Sequence, residues 1–346
     1  MHSPFKFLDS YDKADKEIFF GRSDEVDALY ELCAETRLIL LYGASGTGKT
    51  SLINCGLSNK FQDTDWFAMF VRRRENINES LDRTIRQHSV TPIADGVPLR
   101  KAVRSLFYDH YKPIYLIFDQ FEELFILGDK AEQQLFFQQL SELLQIDLQC
   151  TIILSMREEY IAFLSDFEKV IPSLFDYRFR VERMNRTNLE EVIAGTARSF
   201  DIELFEPEKT VSDIIENLSS KRMGVDLTNL QVYLDRLYRQ DYARRPQEVP
   251  PVRFDPELVK MAGALDDVLA SFLEEQLAVI QAEMGKEKAS VPLDVLFSLV
   301  TDDGTKSNMD TRAIKDMLKR RKNISEADVD YCLKRFGEMR LYREVD

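Results

Sequence analysis

"LILLYGASGTGKTSLI", Leu38 to Ile53, decides the fold. The apolar run Leu38–Tyr42 reads as a strand covered on both faces. A glycine-rich turn follows, and a second apolar run opens a helix near Lys49. Gly43-Ala44-Ser45-Gly46-Thr47-Gly48-Lys49-Thr50 fits the pattern G-x-x-x-x-G-K-[ST]. Each requirement has a cause. The glycines let backbone amides turn inward and approach phosphate oxygens. Lys49 would reach the β- and γ-phosphates of a nucleotide, and the Thr50 hydroxyl would bind Mg²⁺. The helix that starts there aims its positive end at the same anions. Ser51 completes the expected nucleotide-binding stretch.

Strands and helices alternate outward from this point. Strands are predicted at Phe67–Val71, Ile114–Phe118, Thr151–Ser155 and Tyr177–Met184, with helical patterns between them such as "AEQQLFFQQLSELLQ". Continuous apolar strands of this kind belong to a parallel sheet between helices, so residues 37–184 read as an α/β P-loop core. The last strand alternates, with Tyr177, Phe179 and Val181 on one face and Arg178, Arg180 and Glu182 on the other, as at an exposed edge. Residues 1–36 form a lead segment, in which "FFGRSDEVDALYELCAE" is a turn and then a helix. Ser23 is its expected N-cap, acidic residues fill its first turn, and Val26, Leu29, Leu32 and Cys33 make its apolar stripe. Residues 185–285 read as helical, opening on a Thr187/Glu190 capping box and interrupted by "RRPQEVPPVRFDP", the clearest linker. Residues 286–346 carry three short helical patterns and a terminal strand, "MRLYREV", an arrangement that resembles a winged helix whose wing has only begun.

"IYLIFDQFEELF" supplies the acidic partner of the phosphate loop. Asp119 ends an apolar strand, where its carboxylate could hold a Mg²⁺-bound water. Glu122 and Glu123 follow by three and four residues, and one of them could return to the strand end and orient an attacking water. Adjacent helical residues diverge by about 100°, so both cannot face the site equally. Gln120, directly after Asp119, is a neutral amide and cannot act as a base. Arg157, just past the Thr151–Ser155 strand, is placed to touch a γ-phosphate; ion pairing with Glu158 or Glu159 is the plainer alternative. Arg178 and Arg180 could serve a neighbouring subunit as arginine fingers, although exposed strand arginines are common. Arg72–Arg74 and Lys319–Lys322 read as solvated faces.

Composition narrows the classes. The 346 residues carry a net charge of −14, which disfavours a whole-chain affinity for nucleic acid or membrane phosphates. Four scattered cysteines without a CxxC, together with three histidines, argue against an ordinary Cys/His zinc site and suit reduced thiols in the cytoplasm. The N-terminus lacks the apolar stretch of a signal peptide, and no run is long enough to span a membrane.

The ordered set "FFGRSDEV", "GASGTGKTSL", "IFDQFEELF", "LSMREEY" and "FRVERMNRTNLEEVI" resembles the STAND class of signal-transducing P-loop ATPases, which includes the NACHT and NB-ARC groups. The likeness is greatest to the bacterial novel STAND NTPase 1 type. It covers residues 4–240 by motif and the remainder by architecture. The resemblance implies ATP/ADP and Mg²⁺ as ligands. It makes Phe20-Gly21-Arg22 the adenine-side loop, Arg157 the sensor arginine, and the segment after 185 a helical lid followed by a winged helix. Such proteins rest with ADP, exchange it for ATP when a sensor engages its ligand, and then oligomerise, many of them in bacterial defence. Two departures stand out. Gly224-Val225-Asp226 replaces the usual Gly-x-Pro of the lid, and none of His2, His88 or His110 is placed to serve as the winged-helix histidine. The sensor and effector are expected to lie outside this chain, either in a longer protein or in separate ones.

Three functions are consistent with these residues. The first is a slowly hydrolysing ATP/ADP switch that forms homo-oligomers in the ATP state, without nucleic acid or membrane. The second is an AAA+-like working ATPase acting in DNA transposition or remodelling. The third is a scaffold that keeps nucleotide as a structural ligand.

Overall fold

A computed structural model describes residues 4–6, 9–218, 224–244, 252–285, 288–300 and 311–338. Five parallel strands, β1 (Leu38–Gly43), β2 (Phe67–Val71), β3 (Ile114–Phe118), β4 (Cys150–Arg157) and β5 (Arg178–Arg180), form one sheet in the order β2-β3-β4-β1-β5. Alternate residues serve opposite faces. Leu38, Leu40, Leu116, Phe118, Ile152 and Leu154 join the core on one face, and Ile39, Leu41, Ile117 and Ile153 join that on the other. Both faces are therefore dry, which is why the central strands read as unbroken apolar runs.

Helices α3 (Ile77–His88), α4 (Leu99–His110) and α6 (Lys130–Leu144) cover the first face. Helix α1 (Ser23–Glu35) and the helical turns that follow the phosphate loop from α2 (Lys49–Ser51) cover the second. The apolar stripe of α1 is buried as expected at Val26, Leu29 and Cys33, but its N-cap is Arg22, and Ser23 is already helical. β5 is the edge strand, shorter than expected, with Arg178 and Arg180 exposed while Phe179 and Val181 pack inward.

The helical region follows: α7 (Arg186–Ser199), α8 (Pro207–Leu218), α9 (Leu227–Arg244), α10 (Pro256–Ala262) and α11 (Leu265–Met284). Asn185, whose side chain accepts from Asn188 N–H at 2.9 Å, caps α7 in place of the expected Thr187 box; Glu190 pairs instead with Arg186. The linker's centre lies outside the described residues. Its end forms β7 (Arg253–Phe254), parallel to β6 (Glu203–Leu204), before Asp255 caps α10. Phe5 of the lead segment is buried in this helical core beside Phe200 and Tyr238.

Helix α11 is shared, because Val268 joins the lid core while Leu277 and Ile280 join a second core with α12 (Val291–Ser298), α13 (Thr311–Lys322) and α14 (Glu326–Glu338). The three expected C-terminal helices are thus present, and the terminal strand of the winged-helix reading lies outside the described residues. All four cysteines are buried and unbonded. Among the described residues, no helix is long and apolar enough to cross a membrane.

Candidate nucleotide site

The sheet order explains the site. β4 lies between β1 and β3, so the phosphate loop after β1, Arg157 at the end of β4 and Asp119 after β3 all emerge at one edge. They line a cleft of about 370 Å³ between the sheet and the helical region.

The loop has the geometry its sequence demands. Gly46 and Gly48 adopt left-handed backbone angles, φ +74° and +85°, which favour glycine. Lys49 starts a helix, and its ammonium donates to Gly43 O at 2.8 Å and Ala44 O at 2.9 Å, holding it across the loop. Burial lowers the pKa of Lys49, opposed chiefly by the charge of Glu122. Thr47 Oγ1 donates to Ala44 O at 3.0 Å. Arg22, only 3% exposed, braces the loop from behind through Thr47 O at 2.9 Å and Glu182 O at 2.8 Å, and pairs with Glu25. Ser51 Oγ accepts from Tyr11 N–H at 3.1 Å, tying the lead segment to the loop. Gly21 lies against α7, where an added Cβ would come within 2.7 Å of Asn188 O.

At the far side of the cleft, Thr50 Oγ1 lies 3.1 Å from Asp119 Oδ1. A hydroxyl and a carboxylate converging in this way fit Mg²⁺, which takes few protein oxygens and completes its shell with phosphate and water. Among the described residues, no cluster of His, Cys, Asp or Glu could hold a metal by itself, so nucleotide oxygens would have to contribute.

The two glutamates separate. Glu122 is buried and faces the cleft, while Glu123 opens helix α5 (Glu123–Ile126) away from the cleft lining. Arg157 grips Glu122 twice, through Nε to Oε1 at 3.1 Å and through its backbone N–H to Oε2 at 3.2 Å. Glu158, one of the alternatives considered for Arg157, pairs with Arg180 instead. Burial pushes the carboxyl of Glu122 up, and Arg157 partly counters it.

Some cleft residues were not singled out in the sequence. Arg72, read there as a solvated face, enters the cleft and donates to Asp119 Oδ2 at 2.7 Å. Strand register sets its position: Val71 pairs with Phe118, so Arg72 leaves β2 where Asp119 leaves β3. Arg73 is also buried, paired to Glu132 at 2.7 Å. From the lead and lid come Tyr11, Ile18, Phe19, Phe20, Leu230 and Gln231, an apolar wall with a few polar groups suited to a nucleobase. Phe20 belongs to the adenine-side loop that the resemblance implied; nothing local in the sequence marks the others, because the wall forms only when the lead and α9 fold together.

The sequence matches the Novel STAND NTPase 1 profile over residues 4–344. The chain belongs to that family. No curated protein matches the sequence of this Novel STAND NTPase 1 member. Solved structures share its fold. The Walker-type ATPase PABY2304 of Pyrococcus abyssi is 17% identical with a TM-score of 0.52, over 99% of this chain and 95% of that one. The Aeropyrum pernix ORC2 protein, solved as ADPNP–ADP complexes, is 14% identical with a TM-score of 0.54, over 99% and 88%. The Aeropyrum pernix ORC1 protein in complex with DNA is 15% identical with a TM-score of 0.52, over 93% and 84%. At these identities the likeness is one of fold, an α/β nucleotide-binding core followed by a helical domain. The Novel STAND NTPase 1 chain is thus a P-loop NTPase module.

Proposed function

We propose that the chain is the switch module of a STAND ATPase, binding ATP or ADP with Mg²⁺, hydrolysing ATP slowly and coupling its nucleotide state to homo-oligomerisation and effector activation in bacterial defence. The observation that carries this reading is the contact between lid and phosphate loop. Leu227 N–H, at the start of α9, donates to Gly46 O at 3.3 Å, and the Asp226 carboxylate lies against Gly46. A lid that touches the loop directly can register what the loop holds.

The residues divide the work. Lys49 and the loop amides would bind the phosphates, and the wall around Phe19, Phe20 and Leu230 would hold the base. Mg²⁺, held by Thr50 and Asp119, would neutralise phosphate charge. Glu122 is the candidate base, and Arg157 restrains it. With Gln120 unable to take a proton, this arrangement suits slow turnover. The ADP-bound structures named for ORC2 give the reading a structural parallel.

The test is to denature the purified protein and identify the released nucleotide by ion-exchange chromatography. Stoichiometric ADP is expected. An empty site with rapid turnover of added ATP would overturn the switch in favour of a working ATPase.

A further inference from the structure

Arg72 closes β2 as Asp119 closes β3, and Asp119 N–H donates to Val71 O at 3.1 Å. The two side chains therefore leave neighbouring strand ends into one cleft. Arg72 Nη2 lies 2.7 Å from Asp119 Oδ2, and Thr50 Oγ1 lies 3.1 Å from Oδ1. The guanidinium is 22% exposed and the carboxylate 7%, so water and salt screen the pair weakly. Arginine keeps its charge at every working pH.

We infer that Arg72 is a positioning residue that supplies to Asp119 the cation it would otherwise take from Mg²⁺, so that the cleft retains a nucleoside diphosphate without the metal. This rests on the nucleotide-binding reading above. The local charges support it. Lys49, Arg72 and Arg157 line the cleft beside the carboxylates of Asp119 and Glu122, and the Asp226 carboxylate lies against the phosphate loop, so the cations do not outnumber the carboxylates there. Neutralising Arg72 leaves an excess of carboxylate facing a polyphosphate, and a divalent cation would then be needed to offset it. Conversely, the guanidinium and Mg²⁺ would compete for the single charge of the Asp119 carboxylate when Mg²⁺·ATP loads, and the two cations would repel each other across it. One side chain thus favours the metal-free diphosphate and resists the metal–triphosphate.

The experiment is a titration of the full chain with fluorescently labelled ADP, in excess EDTA and in Mg²⁺. Wild type should bind equally in the two buffers, within about threefold. Arg72→Gln keeps a hydrogen-bond donor but loses the charge; it should weaken at least about tenfold in EDTA and recover in Mg²⁺. Arg72→Lys, which keeps the charge, should behave as wild type. Unchanged affinity of Arg72→Gln in EDTA, or equal weakening in both buffers, overturns the inference. Mg²⁺ raising wild-type affinity by much more than threefold overturns it without any variant. Failure of wild type to bind ADP in either buffer would instead remove the nucleotide-binding reading itself.

Discussion

Lys49 spans the phosphate loop, with its ammonium held by two loop carbonyls. Lys49→Ala should preserve the fold yet lose one or more charge-assisted bonds to phosphate, weakening nucleotide binding by roughly 10- to 100-fold. Equilibrium dialysis with radiolabelled ADP would show it, and unchanged retention would remove the loop's assigned role. The glutamates make a sharper pair. Glu122 faces the cleft and Glu123 does not line it. Glu122→Gln should therefore lower kcat by about 10²- to 10⁴-fold with ATP still bound, while Glu123→Gln leaves turnover near wild type. A base must be ionised, and burial raises the Glu122 carboxyl above its ordinary 4.5. Turnover is then lost as pH falls through that raised value, so the acidic limb of kcat/KM should lie above the ordinary glutamate range and vanish in Glu122→Gln. Sequence made this pair visible but could not choose between its members. The turn after Gln120, which has φ +56°, puts Glu122 just ahead of the helix and Glu123 on it. That offset depends on tertiary packing around Phe121, which is buried among Phe118, Phe136 and Phe137. Arg72 was missed for the opposite reason: three consecutive arginines look like a solvated face until strand register places each one.

At the scale of elements, the sheet was the legible part. Strand positions were evident because burial on both faces leaves uninterrupted apolar runs, as at Ile114–Phe118. Helix starts were less legible, since caps are decided by single local bonds. Thr187 looked like a cap, yet Asn185 reaches Asn188 N–H first. The lid contact was half legible: the resemblance marked Gly224-Val225-Asp226 as the lid motif, but not its partner Gly46, distant in sequence. Its consequence can be tested at Gly46. A Cβ there would lie 1.8 Å from Asp226 Oδ2, on a backbone of φ +74°. Gly46→Ala should push α9 from the loop and weaken ADP binding, in addition to a backbone cost of about 1 kcal/mol. Asp226→Gly in the same chain removes the carboxylate, so it should restore lid closure, but not the backbone cost. Hydrogen exchange at Leu227, whose amide donates to Gly46 O, reads the closure directly. Protection unchanged in Gly46→Ala would mean that the contact does not govern the lid.

Across the whole molecule, the lead segment joins what the nucleotide would also join. Phe5 is buried in the lid core, Lys6 N–H donates to Gln231 Oε1 at 3.2 Å, and Tyr11 N–H reaches Ser51 beside the phosphate loop. The lead is therefore a strap across the cleft, fixed to the lid at one end and to the core at the other. Two consequences follow for stability. ADP at about 100 times its dissociation constant should add about 2.7 kcal/mol through preferential binding to the folded state. Phe5→Ala removes the lid-side anchor and should cost about 3 kcal/mol where the ring is buried. The cost falls on the lid first, because the sheet's cores do not include Phe5. Calorimetry should then show an early lid transition in Phe5→Ala, with the sheet transition near its wild-type temperature and a smaller ADP-induced rise for the lid. A single transition displaced as one unit would mean that lid and core melt as one cooperative body, so that Phe5 does not anchor a separately unfolding lid. A separate lid transition suppressed by ADP would show that nucleotide and strap act on the same interface, as a switch linking bound nucleotide to lid position requires.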